Sequence, residues 1–107
     1  AVIIGFSQAA LVCYEFVCKL NKPLGAIFPV SGFLRTKKNM IHPSQKNTPI
    51  IIGHGLQDDV VSIERSKEAH KLLINEGASS RFVVYDAGHH IPKSFMDVII
   101  ETINADN

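Results

Sequence analysis

Tryptophan is absent from this sequence, cysteine occurs only twice, and neither sign of charge dominates. The 107 residues carry 11 lysine and arginine residues against 10 aspartate and glutamate residues, which gives a formal net charge of +1. Because binding to nucleic acid or to an anionic membrane surface calls for an excess of positive charge, we expect no nucleic-acid partner. No apolar run is long enough to cross a bilayer, so we expect no stable membrane insertion.

The two cysteines, Cys13 and Cys18, lie in a segment with a helical pattern. Their separation is well over one helical turn, so the side chains point in different directions and a disulfide between them is disfavoured. Free thiols are typical of reducing compartments, and we therefore expect a cytoplasmic protein. The length fits one small domain, taken here as residues 1–107.

Short apolar runs alternate with helix-like segments along the chain. Strands are predicted over residues 1–5, 24–30, 50–53 and 81–85, and helices over residues 8–20, over residues 62–76 and after Pro92. Ser62 is a predicted N-cap, and Gly77 stands where a glycine commonly ends a helix. This alternation is typical of the α/β class, with a parallel sheet of about four strands and helices on both faces.

Residues of reactive type follow the ends of three predicted strands. Ser7 follows the first strand, Asp58 and Asp59 follow the third, and His89 and His90 follow the fourth. The carboxyl ends of parallel strands share one edge of a sheet, so these side chains can meet there. The chain order of serine, acid and histidine is the order found in the α/β-hydrolase architecture.

This combination of residue types is what nucleophilic acyl transfer requires. A serine hydroxyl is a weak nucleophile until an imidazole takes its proton, and a carboxylate at the other ring nitrogen fixes the imidazole tautomer. The stretch from Gly5 to Ala9 is close to G-x-S-x-G, the strained turn that lifts a nucleophilic serine clear of its sheet. The backbone N–H of Gln8, at the start of the next helix, would point at a developing oxyanion.

Each of these residues also has an interpretation without catalysis. Asp58 and Asp59 are turn formers, and His89 and His90 can be surface histidines. His54 fits a core or supporting histidine better than a reactive one. His54, His89, His90 and Asp58 could also meet at this edge of the sheet as ligands of a metal ion. However, no pair of them has the spacing of metal ligands on a helix, such as H-E-x-x-H. We therefore expect no metal and no other cofactor.

Four stretches resemble the acyl-protein thioesterases, within the phospholipase/carboxylesterase group of α/β-hydrolases. "GFSQAA" is similar to the nucleophile turn of that family, and "LGAIFPVSGFL" to its next strand with the serine-containing segment after it. "TPIIIGHGLQDDVVS" resembles its strand followed by H-G-x-x-D, and "VVYDAGHHIP" resembles its last strand followed by Gly-His. The resemblance covers nearly all of this chain but only the C-terminal half of the family's domain.

The resemblance implies a role for each matching residue. Ser7 matches the nucleophile, Asp58 the acid and His89 the general base. An alignment shifted by one residue would make His90 the base instead. Gln8 matches one oxyanion donor through its backbone N–H.

The resemblance also implies a reaction and a range of substrates. It predicts a serine hydrolase of the carboxylesterase, acyl-protein thioesterase or lysophospholipase type, which cleaves acyl esters or thioesters through an acyl-enzyme. Acylated proteins, lysophospholipids and small carboxylic esters are the implied substrates, with Phe33 and Leu34 as candidate apolar lining of the acyl site. The acyl chain length and the preference between esters and thioesters stay open.

Three departures from the family pattern bear on activity. Ala9 replaces a glycine at a close strand–helix contact, and Ser62 stands where the family usually has proline. The family's earlier strands and the loop with the second oxyanion donor have no counterpart here, so the strand before Ser7 would be an uncovered apolar edge. We expect a missing N-terminal half or a second chain to complete the sheet. The alternative is a non-catalytic, truncated hydrolase fragment that associates with another chain through that strand.

Overall fold

The predicted strands form one parallel sheet in a computed structural model, which describes residues 1–34 and 41–105. Within those residues the sheet has four strands in the order β1-β2-β3-β4, and every neighbouring pair is parallel. The strands are β1 (Val2–Phe6), β2 (Ala26–Val30), β3 (Pro49–Gly55) and β4 (Ser79–Tyr85). The predicted α/β class with a parallel sheet is confirmed.

Helices cover both faces of the sheet, as the alternation predicts. They are α1 (Ala9–Lys19), α2 (Ile63–Asn75) and α3 (Lys93–Ala105). α1 and α2 share one face, where they pack with Ile27 and Ile50, and α3 lies on the other face, where Phe95 packs near Phe28. Burial of one such side chain contributes about 1.5–3 kcal/mol, so apolar packing holds both faces. None of the described helices is long and apolar enough to span a membrane.

α2 begins and ends at the residues that the sequence predicts. Ser62 Oγ accepts a hydrogen bond from the backbone N–H of Glu64 at 3.3 Å, which satisfies one of the free donors at the helix start. Gly77 follows the helix with a φ of +84°, a left-handed conformation that glycine adopts without strain. Ser62, which stands where the family usually has proline, is therefore the N-cap of α2.

β3 is longer than the sequence pattern predicts, and this places His54 inside the sheet rather than after it. The predicted strand ended at Gly53, whereas His54 and Gly55 also pair in register with Val84 and Tyr85 of β4. A histidine in a buried strand needs hydrogen-bond partners for its ring nitrogens. His54 is 0% exposed and both of its ring nitrogens have partners, so the polar residue continues the strand.

The segment before β3 is fastened to the end of α1. A short 3₁₀ turn (Pro43–Gln45) docks there. Ser44 Oγ donates a hydrogen bond to the carbonyl oxygen of Leu20 at 2.8 Å, and Nε2 of the buried Gln45 donates to the same oxygen at 3.0 Å. These bonds satisfy a carbonyl that the helix end would otherwise leave free.

β1 is an edge strand within the described part of the chain. It pairs with β2 from Val2 to Phe6, and its side chains Val2 and Ile4 are 38% and 48% exposed. On α1, which packs beside it, Val12 is 51% exposed. An apolar edge of this kind is prone to pair with further polypeptide.

Candidate active site

Ser7 lies in a strained turn between β1 and α1. Its φ is +58°, in the left-handed region that costs a residue other than glycine about 1–2 kcal/mol. Two backbone hydrogen bonds hold the turn: the N–H of Ser7 donates to Val30 O at 2.8 Å, and the N–H of Ala10 donates to Ser7 O at 3.0 Å. Strain of this kind persists only where the surroundings over-determine it, and it is concentrated at functional sites.

Gly5 allows the strand and the helix to approach closely enough for this turn. A Cβ added to Gly5 would lie 2.3 Å from the carbonyl oxygen of Ala9 and 2.7 Å from Cys13 Sγ, so no larger residue fits without moving the helix. The other end of the motif is less restricted, because Ala9 itself is exposed. The departure from glycine at position 9 therefore fits the turn.

Ser7, His89 and Asp58 form one continuous hydrogen-bonded chain at the carboxyl edge of the sheet. His89 Nε2 is 3.0 Å from Ser7 Oγ, and His89 Nδ1 is 2.8 Å from Asp58 Oδ2. An ionised carboxylate can only accept, so Nδ1 carries the proton and Nε2 is free to accept the proton of the serine hydroxyl. This is the arrangement that nucleophilic catalysis by serine requires.

The carboxylate of Asp58 is fixed from a second side by backbone. Its Oδ1 accepts hydrogen bonds from the N–H groups of Val60 and Val61, both at 2.9 Å, and its side chain is 0% exposed. Burial by itself raises the pKa of Asp58, but the hydrogen bonds from His89, Val61 and Val60 outweigh it and hold the pKa below its ordinary value. Asp58 is therefore an anion when it faces His89. The neighbouring Asp59 is exposed.

The two consecutive histidines have different environments. The ring of His89 packs on the ring of Phe6, with 4.7 Å between their centroids. His90 is exposed, and its backbone N–H donates to Gly88 O at 3.0 Å. Of the two candidates left open by the sequence, His89 is the one that the fold brings to Ser7. The Phe6 contact was not foreseen, although Phe6 directly precedes the serine.

Three other serines also lie beside a histidine, and comparison with them shows what distinguishes Ser7. The pairs are Ser44 with His42 at 2.9 Å, Ser66 with His54 at 2.6 Å and Ser80 with His70 at 2.7 Å. None of these serines has the left-handed backbone of Ser7. Of these pairs, Ser66 with His54 most resembles the arrangement at Ser7, because its histidine also lies near Asp58: His54 Nε2 is 3.5 Å from Asp58 Oδ2. However, Ser66 and His54 are both 0% exposed, which leaves no access for a substrate.

The remaining predicted site residues border this edge of the sheet. Gln8 occupies the N-cap position of α1, and within residues 1–34 and 41–105 its N–H has no hydrogen-bond acceptor. Phe33 is half-buried, with the guanidinium of Arg65 5.1 Å from its ring centroid. Leu34 packs, partly buried, against the apolar cluster of α1 and α2. The basic residues that follow, Arg35, Lys37 and Lys38, lie outside the described residues.

No other part of the described chain offers a comparable centre. No three His, Cys, Asp or Glu side chains in those residues are grouped to hold a metal ion. An open groove of about 500 Å³ includes Pro49, Ser79 and Thr102 in its lining. Pro49 and Ser79 begin β3 and β4, so this groove lies at the opposite end of the strands from Ser7.

The sequence profile of the phospholipase/carboxylesterase family matches residues 1–107. The chain belongs to this family. A probable carboxylesterase of Oryza sativa subsp. japonica is 34% identical over 95 residues, which are 85% of this chain and 36% of that protein. The acyl-protein thioesterase 1 homolog 1 of Dictyostelium discoideum is 30% identical over 106 residues, which are 96% of this chain and 47% of that protein.

A solved structure has the same fold over the matched region. The crystal structure of Arabidopsis thaliana SOBER1 superposes on this chain with a TM-score of 0.90, at 27% sequence identity. The superposed region is 97% of this chain and 51% of SOBER1. The resemblance to the phospholipase/carboxylesterase family is therefore confirmed. The chain spans about half the length, or less, of these relatives.

Proposed function

We propose that the protein is a serine hydrolase that cleaves acyl esters or thioesters, with Ser7 as nucleophile, His89 as general base and Asp58 as the acid. The observation that carries the proposal is the hydrogen-bonded chain from Ser7 Oγ through His89 to Asp58, at 3.0 and 2.8 Å, on a serine with a φ of +58°. The membership of the phospholipase/carboxylesterase family supports the same reaction class.

In the first half of the reaction, His89 Nε2 takes the hydroxyl proton of Ser7 while Ser7 Oγ bonds to the substrate's carbonyl carbon. The carbonyl oxygen becomes an oxyanion, and the imidazolium is stabilised by the carboxylate of Asp58. When the tetrahedral intermediate collapses, the carbon–oxygen or carbon–sulfur bond breaks and His89 returns the proton to the leaving alcohol or thiol. A water molecule then repeats the sequence on the acyl-enzyme and releases the carboxylic acid.

The backbone N–H of Gln8 is the proposed donor to the oxyanion. It lies at the start of α1, directly after Ser7, where the helix dipole and the unpaired N–H groups both favour negative charge. A preorganised donor of this kind is worth about 10²–10³-fold in kcat.

The substrates are proposed from the relatives. The rice relative is named a probable carboxylesterase and the Dictyostelium relative an acyl-protein thioesterase homolog, which supports small carboxylic esters and S-acylated proteins. Lysophospholipids carry the same scissile ester. Phe33 and Leu34 follow the end of β2 next to the serine turn, since a Cβ on Gly32 would lie 3.0 Å from Ser7 O, and we propose them as lining for the acyl chain.

Steady-state hydrolysis of a p-nitrophenyl ester and of an acyl thioester tests this proposal on the protein expressed from its complete coding sequence. Ser7→Ala and His89→Ala should each lower kcat by about 10⁴-fold or more, because the catalytic groups act as a unit. His90→Ala is the matched control, since its side chain is exposed, and it should keep wild-type kcat. Loss of activity in His90→Ala but not in His89→Ala would reassign the base, and an inactive wild type would support the non-catalytic alternative.

The exposed edge of β1 supports a second proposal, that a further strand pairs there. Val2 and Ile4 are partly exposed on a strand that pairs on one side within the described residues, and an apolar edge left open promotes association. The strand can come from the same polypeptide or from a second chain. Hydrogen exchange of the β1 amides tests it. Protection of the outward-facing amides in the complete protein would support pairing, and rapid exchange of these amides would contradict it.

A cytoplasmic location remains a proposal as well. Cys13 is a buried free thiol, which supports a reducing compartment. Fractionation of cells that express the tagged complete protein checks it, and recovery in a secreted fraction would contradict it.

A further inference from the structure

We propose that His54 is a positioning residue for the acid of the hydrolase: its imidazole, with a proton on Nε2, holds the loop that presents Asp58 to His89. The inference rests on the proposed function, because it assigns a role relative to that reaction. His54 does not touch the reacting atoms, and it acts through the backbone of Val61.

The first step of the argument is the hydrogen-bond geometry of His54. Its Nε2 lies 2.7 Å from Val61 O, and its Nδ1 lies 2.6 Å from Ser66 Oγ. A carbonyl oxygen can only accept, so Nε2 must carry a proton. Nδ1 shares a proton with the hydroxyl of Ser66, which also lies 3.5 Å from Gly32 O.

The second step is that Val61 is held at both of its backbone polar groups. Its N–H donates to Asp58 Oδ1 at 2.9 Å, and its carbonyl oxygen accepts from His54. Val61 therefore connects the buried imidazole to the carboxylate through one residue. The other backbone hydrogen bond to this carboxylate, from Val60 N–H to Asp58 Oδ1 at 2.9 Å, comes from the residue next to Val61, so the position of Val61 also affects it.

The third step is the position of His54 relative to Asp58. Its Nε2 is 3.5 Å from Asp58 Oδ2, the oxygen that lies 2.8 Å from His89 Nδ1. Two imidazoles thus flank one carboxylate oxygen, with His89 partly exposed toward Ser7 and His54 on the buried side. His89 donates its Nδ1–H to that oxygen, whereas the Nε2–H of His54 is donated to Val61 O and the His54 ring only packs beside the carboxylate.

Burial makes this support rigid. His54 and Ser66 are both 0% exposed, so neither can exchange its partner for water, and an unpaired polar group there would be costly. Ser66 belongs to α2 and His54 to β3, so the acid loop is fixed to two packed elements. A displacement of about 1 Å in a catalytic group lowers the rate by about 10²-fold, and this is the effect that the anchor prevents.

Two substitutions at position 54 separate a positioning role from a structural one. In His54→Gln the side-chain amide reaches the place of Nε2 and can still donate to Val61 O. In His54→Asn the shorter amide matches Nδ1 and can reach Ser66 but not Val61. Both variants remove the buried ring, so both should lower the melting temperature by similar amounts.

The expected result is a split between the two variants in kcat. His54→Asn should lose about 10²-fold in kcat with little change in KM, whereas His54→Gln should recover most of that loss. Equal kcat in both variants, whether high or low, would overturn the proposal. A fluorophosphonate label on the wild-type protein serves as the reference. If wild type is not labelled, the proposed function fails, whereas a labelled wild type with equal variants refutes only the role of His54.

A measurement on the wild-type protein keeps the proposal testable even if His54→Asn does not fold. Long-range ¹H–¹⁵N correlation spectra of the histidine rings report which nitrogen carries the proton. We expect a proton on Nε2 of His54, donated to Val61 O. A proton on Nδ1 with Nε2 bare would contradict the hydrogen bond to Val61 O and overturn the proposal.

Discussion

Replacement of Gly5 by alanine should lower kcat in protein that is still folded, because it displaces Ser7 as well as lowering the free energy of unfolding. The added Cβ would lie 2.3 Å from Ala9 O and 2.7 Å from Cys13 Sγ, whereas ordinary contacts begin near 3.4 Å. Because the nearest obstacle is helix backbone, α1 must move away from β1 by about 1 Å. We expect a loss of about 1–3 kcal/mol in the free energy of unfolding from overpacking and of about 10²-fold in kcat from displacement of Ser7.

Gly53→Ala is the matched control for that prediction. Its added Cβ would meet the ring of Phe95 at 2.7 to 2.9 Å, on the α3 face of the sheet, and a side chain can tilt where backbone cannot. Because Phe95 is buried, its tilt should also lower the free energy of unfolding, but the turn of Ser7 should stay in place. Ester hydrolysis and thermal melting of both variants are the measurements. Wild-type kcat in Gly5→Ala, or an equal loss in Gly53→Ala, would refute the reasoning.

Three further predictions follow from buried groups. The pKa of Asp58 is lower in the folded protein than in the unfolded chain, so its contribution to stability is present above the ordinary carboxyl pKa of about 3.9 and is lost as the pH falls through the lowered value. Asp58→Asn should flatten this acid limb of a melting-temperature profile, and an unchanged limb would contradict the assignment. The hydroxyl of Tyr14 is buried without a partner among the described residues, and such a group costs about 1–3 kcal/mol. Tyr14→Phe should therefore keep or raise the free energy of unfolding in urea titrations, and a clear loss would reveal a missed partner. Burial raises the pKa of the Cys13 thiol to about 12, so iodoacetamide at neutral pH should alkylate it only after unfolding, as peptide mass spectrometry can check.

The convergence of the three candidate catalytic residues could be predicted from the sequence, because each follows the end of a predicted parallel strand. Ser7, Asp58 and His89 are far apart in the chain, yet each follows a short apolar run, and parallel strands bring such positions to one edge. Position after a strand could not decide whether His89 or His90 lies beside Ser7, because both histidines follow the same strand. Their difference arises from contacts with Phe6 and Ser7, which only the folded sheet brings near.

Residues whose partners are distant in sequence were harder to predict. The polar side chain of His54 predicts that the strand ends before it. In the structure, Ser66 on α2 hydrogen-bonds to the His54 ring, and the strand continues through His54. Gln45 reads as a loop residue, yet it is buried against the end of α1. The roles of Phe33 and Leu34 in binding an acyl chain stay predictions, since no substrate contact defines them.

The most direct test of the central claim is the site of covalent modification by a fluorophosphonate, mapped by peptide mass spectrometry on the complete protein. The four serines that lie beside histidines compete in the same experiment, because Ser44, Ser66 and Ser80 each contact an imidazole as Ser7 does. We predict an adduct on Ser7, none on the other three, and no adduct in Ser7→Ala. An adduct on Ser44, Ser66 or Ser80, or an unmodified wild-type protein, would contradict the account.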